Sequence, residues 1–107
     1  MTTSTDTNRR FASFADFYPF YLSEHANRTC RRLHFIGSTA CLAFVATALV
    51  TGNAWWWLAA VVCPYAFAWV GHFGFEHNRP ATFKYPFYSL AGDWVMYRDM
   101  WLGRVTF

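Results

Sequence analysis

Between Leu33 and Phe75 the chain contains no Asp, Glu, Lys or Arg, a gap of 43 residues in a sequence of 107. Thr51-Gly52-Asn53 splits the gap almost in the middle. Each half is about 20 residues, enough to cross a hydrocarbon core of roughly 30 Å as a helix. The sequence also lacks basic residues in the segment between those halves. All nine Lys and Arg lie outside the gap: Arg9, Arg10, Arg28, Arg31 and Arg32 before it, Arg79, Lys84, Arg98 and Arg104 after it. Under the positive-inside rule that asymmetry places both termini in the cytoplasm. No cleavable signal peptide is expected either, because the first ten residues are Thr-rich and polar with no apolar region behind them. Paired cysteines are absent. Cys30, Cys41 and Cys63 are odd in number and two of them fall within the apolar halves, which excludes a disulfide framework. A net charge of +3, split between the two ends, is too small and too scattered for a nucleic-acid surface and suits anionic headgroups. There are no internal repeats and no low-complexity tract.

What is present reads as one small all-α integral membrane domain over residues 1–107, a two-span transmembrane helical hairpin flanked by two interfacial amphipathic helices. In a bacterium the membrane would be the inner one. Residues 1–10 are expected to be disordered. Over 11–25, Phe11, Phe14, Tyr18 and Tyr21 recur at steps of three and four, the spacing of an amphipathic helix too short and polar to span, with Pro19 as a kink. Asn27 is a natural N-cap for a span over 28–50. A second span covers 54–75, with Trp55, Trp56 and Trp57 marking the far interface and Pro64 and Gly71 as kink points. A loop with two prolines, Asn78 to Pro86, follows. Over 87–103, Phe87, Leu90, Trp94, Tyr97 and Trp101 form an apolar stripe opposite Ser89, Asp93 and Asp99. Aromatics make up 22% of the chain, which suits rings anchored at a lipid interface. A chain this small and apolar is also expected to self-associate, as a homo-oligomer.

The four histidines, His25, His34, His72 and His77, all fall near one end of the hairpin. Counted from the turn, His34 and His72 lie about 18 to 20 residues away, so an antiparallel pair of spans brings them to the same depth. Ionisable groups are costly inside a membrane, and imidazole suits Fe, Zn, Cu and Ni. The break at Asn27 lets His25 fold back toward His34. His72 and Glu76, four apart, share one helical face. His77 is rotated off that face and is either turned inward by the end of the helix or left in solvent.

His25-x-Asn27, Leu33-His34, Gly71-His72-x-x-x-Glu76 and Arg79-Pro80-Ala81 together resemble the 2-hydroxy-fatty-acid dioxygenase family, whose fungal member acts in α-oxidation during phytosphingosine breakdown at the endoplasmic reticulum. Ser23 to His34 and Asn78 to Pro86 look like its short bacterial members, and the similarity runs from Phe14 onward. The resemblance implies an Fe(II)-dependent oxidoreductase that consumes O2 and cleaves a 2-hydroxy fatty acid to the acid one carbon shorter. His25, His34 and His72 would be the metal ligands. Glu76 would be a further ligand, an orienter of His72 or a proton acceptor. With Glu76, Arg79 is the expected catalytic residue, while Arg28 and Asn27 are expected to meet the substrate, an arginine taking its carboxylate.

Two other classes fit the residues. A non-enzymatic haem subunit would use His34 and His72 as axial ligands. A lipid-binding scaffold would leave the histidines without metal.

Overall fold

The computed structural model describes residues 11–107, so the expected disordered start lies outside the described residues. The chain is an elongated helical body, 53 Å long and 26 by 24 Å across, with no strand among the described residues. Its elements are α1 (Phe14–Ser23), α2 (Arg28–Thr51), α3 (Trp55–Val70) continued by a π-helical segment (Gly71–Glu76), a 3₁₀ turn (Ala81–Phe83) and α4 (Pro86–Trp101).

Capping sets the boundaries. Asn27 accepts a hydrogen bond from the Cys30 amide at 3.1 Å and so starts α2. Gly52, at φ +68°, ends it in the left-handed conformation that glycine adopts without strain. Asn53 Oδ1 then accepts from the Trp55 amide at 3.0 Å and turns the chain into α3. Both arms of the hairpin, Arg28–Thr51 and Trp55–Glu76, are long and apolar enough to cross a membrane. They touch through a small residue at the histidine end. A Cβ on Gly71 would stand 2.9 Å from Cys30 Sγ and 3.2 Å from Cys30 Cα, so only glycine lets the backbones meet there. That contact lies beside His72 and one turn from His34.

α1 is only ten residues long, and such a helix is marginal without tertiary contacts. It runs through Pro19 and is held by burial of Phe17 and Tyr21 against Tyr85, Met96 and Met100. α4 has the two faces its spacing predicts, and the polar one is buried. Ser89, Gly92, Met96, Asp99 and Met100 face inward, while Phe87 is 83% and Trp101 67% exposed. The inward polar groups meet the tyrosines of α1: Tyr18 donates to Asp99 Oδ2 at 2.9 Å, and Tyr21 donates to Asp93 Oδ1. Asp99 also pairs with Arg98 at 3.0 Å and Arg104 at 3.9 Å.

Candidate metal centre

His25, His34 and His72 come from three places in the chain: the loop after α1, the second turn of α2 and the π-helical segment. They converge at the end of the hairpin away from its turn. Their ligand atoms all lie within 4.8 Å of one another, and all three side chains are buried. The rings stand edge to face, with centroids 4.4, 4.5 and 4.9 Å apart.

Each imidazole is oriented by a hydrogen bond through its other nitrogen. Nδ1 of His25 meets the Tyr21 carbonyl at 2.6 Å, and Nδ1 of His34 meets the Cys30 carbonyl at 2.8 Å. Nδ1 of His72 meets Asn78 Oδ1 at 2.7 Å. The Asn78 amide is itself fixed, because its Nδ2 donates to the Glu24 carbonyl at 3.1 Å. A carbonyl oxygen only accepts, so each Nδ1 carries the proton and each Nε2 presents a lone pair. His25 Nε2 and His34 Nε2 face each other at 3.1 Å. With both protons committed to Nδ1, that contact sets lone pair against lone pair and calls for a cation between them. An ion 2.0–2.1 Å from two imidazole nitrogens at a near right angle holds them about 3 Å apart. The three-histidine set therefore fits a single metal ion. Burial, and then the neighbouring His34 and His72, hold His25 well below the ordinary histidine pKa, which keeps it neutral and able to ligate.

The π-helical segment explains the placement of the remaining residues. Its wider turn, with i→i+5 hydrogen bonding, breaks the stacking that would put Glu76 over His72. Glu76 instead accepts from the backbone amide of Asn27 and secures the start of α2. His77 closes the segment at φ +59° and is exposed. The reversal there folds Asn78 back onto His72, whose carbonyl accepts the Asn78 amide at 3.0 Å. Asn27 is the α2 N-cap, and Arg28 and Arg79 are exposed with no ion pair among the described residues.

Two cavities meet at the histidines. A small chamber of about 10 Å³ is lined by the three ligands together with Tyr21, Tyr65, Ser89 and Asp93. It has room for one ion or water and none for a porphyrin. Beside it a cavity of about 270 Å³ runs between α2, α3 and α4, lined chiefly by apolar side chains such as Ala60, Val61, Pro64 and Leu90. His34 and Asp93 border both. Burial pushes the Asp93 carboxyl up to about 6, against the pull of the Tyr21 hydroxyl, so it is mostly ionised at neutral pH.

Sequence reasoning missed Asn78, Ser89 and Asp93 as site residues. The four-residue spacing of Ser89 and Asp93 was a usable signal, since it puts both on one helical face. Nothing in the sequence marks Asn78 as the partner of His72 before the π-helical turn is known.

A family model described as 2-hydroxy-palmitic acid dioxygenase Mpo1-like matches residues 11–105. No curated protein and no solved structure matches the chain. The chain belongs to the Mpo1-like family.

Proposed function

We propose that this Mpo1-like chain is a membrane-embedded, iron-dependent dioxygenase that converts a 2-hydroxy fatty acid and O2 into the fatty acid one carbon shorter, CO2 and water. The observation that carries the reading is the union of a three-histidine donor set with an apolar cavity at one end of the hairpin. Two arms long and apolar enough to span, with outward-facing Leu, Val and Trp, support insertion in a bilayer. The basic residues cluster at the histidine end, which favours a cytoplasmic position for that end and for both termini.

His25, His34 and His72 would hold Fe(II), which supplies open positions for O2 and for chelation by the hydroxyl and carboxylate of the substrate. The chain's own residues do the rest. Asn78 and the Tyr21 and Cys30 carbonyls hold the imidazoles in one tautomer. The 270 Å³ cavity takes the first part of the acyl chain and excludes water from the reacting end, while the remainder of the chain lies in lipid. Arg28 and Arg79, exposed on the same side, attract the carboxylate on entry.

The test is anaerobic loading with Fe(II), addition of 2-hydroxypalmitate, then O2. Pentadecanoate and CO2 in equal amounts are expected. An iron-loaded protein that leaves the substrate intact would remove the reaction and leave the metal site standing.

A further inference from the structure

Ser89 Oγ is a buried side-chain atom with no hydrogen-bond partner among the described residues. The side chain is 2% exposed and lines the small histidine chamber. One helical turn on, Asp93 lines the same chamber and also the apolar cavity. Its Oδ1 accepts from Tyr21, and a carboxylate has further acceptor capacity beyond one such bond. A hydroxyl left unpaired in a protein interior is costly, and α4 turns it inward while Phe87 and Trp101 of its apolar stripe are exposed.

We propose that Ser89 and Asp93 form the subsite that reads the 2-hydroxyl group of the substrate, with Ser89 Oγ–H donating to the oxygen of that hydroxyl and Asp93 accepting a hydrogen bond from it. This rests on the substrate class proposed above. A plain fatty acid has no 2-hydroxyl, so it leaves Ser89 Oγ without its acceptor, gives Asp93 no donor beyond Tyr21 and sets a like charge against it. A 2-hydroxy acid supplies the donor that the site requires. Rejection of the analogue lacking the group then comes from buried polar atoms left unsatisfied, the strongest form of discrimination a pocket has.

The measurement is equilibrium binding of 2-hydroxypalmitate and of palmitate to the full chain as purified in detergent, under argon so that no turnover occurs. The wild-type protein should prefer the hydroxy acid by about tenfold to a hundredfold, the range of one or two hydrogen bonds to a charged group. Ser89→Ala should cut that ratio about tenfold or more and leave palmitate affinity unchanged. Asp93→Ala combined with Tyr21→Phe, so that no phenol is orphaned, should cut it by at least as much and strengthen palmitate binding by removing the like charge. Ser89→Ala should not lower the melting temperature, because the hydroxyl it removes has no partner to lose; a merely structural serine would do the opposite. A ratio that stays at the wild-type value in Ser89→Ala, or a wild-type protein that binds both acids equally, overturns the proposal. Product formation by the wild type is scored separately. Discrimination without product removes the reaction and keeps the subsite. Product with unchanged discrimination in the variants does the reverse.

Discussion

At the turn end of the hairpin, Leu49, Val50 and Trp55 are 70%, 86% and 75% exposed, while Ala48 is buried and Phe44 stacks on Trp56. At the other end His25, His34, His72, Ser89 and Asp99 are buried, and most of their polar atoms are paired. The hairpin thus stands largely bare at its turn, while at its other end α1 and α4 close over it and enclose polar side chains. A water-soluble domain arranges burial the other way round. In the reading proposed above, lipid covers the turn end, so packing there adds little specificity. At the histidine end the three ligands are set by hydrogen bonds and by the close approach of Gly71 to Cys30, and a small displacement would move a ligand.

The contrast is testable by substitutions on both sides. The largest effect is expected from His34→Ala or His72→Ala, which should bring metal content by elemental analysis from one per chain toward zero and lower turnover by more than about a hundredfold. Full metal retention in both variants would sink the three-histidine site. Asn78→Ala should weaken metal affinity about tenfold to a hundredfold in a competition titration, because His72 loses the acceptor that orients it. Unchanged affinity would mean that the carbonyl-held pair His25 and His34 dominates binding.

Ala60→Leu adds bulk to the wall of the 270 Å³ cavity, where Ala60 is buried. The kcat/KM for 2-hydroxypalmitate should drop about tenfold while a short 2-hydroxy acid is processed as before, overpacking of this size being worth ~1–3 kcal/mol. Equal losses on both substrates would place the acyl chain elsewhere. Glu76→Gln should lower stability by about 1 kcal/mol through the weakened bond to the Asn27 amide, with metal content intact. Loss of metal would make Glu76 a ligand after all. The smallest effect belongs to Leu49→Ala, under ~0.5 kcal/mol by thermal unfolding in detergent. A loss of 2 kcal/mol or more would show the turn end to be covered by a second copy of the chain.

Much of the arrangement is legible without coordinates. Asn27 and Gly52 bound the first arm as their cap chemistry requires, and the absence of charge from Leu33 to Phe75 delimits the hairpin. Equal counting from the turn brings His34 and His72 together because helix rise is constant. Glu76 was less legible, since four-residue spacing implies stacking on His72 only while the helix stays α. The orientation of α4 was not legible at all. Its period separates Phe87, Leu90 and Trp101 from Ser89, Asp93 and Asp99, but a period names two faces without saying which one is covered.

The sequence by itself therefore determined what depends on neighbours along the chain: the apolar helices, their turn, the end at which basic residues lie, and the equal distance of two histidines from that turn. The tertiary structure alone decided what depends on groups far apart in sequence. Tyr18 and Tyr21 draw the polar face of α4 inward across more than 70 residues, and the π-helical turn swings Glu76 away and Asn78 in. Buried polar atoms must find partners wherever the fold brings them, and that requirement is invisible until the helices have met.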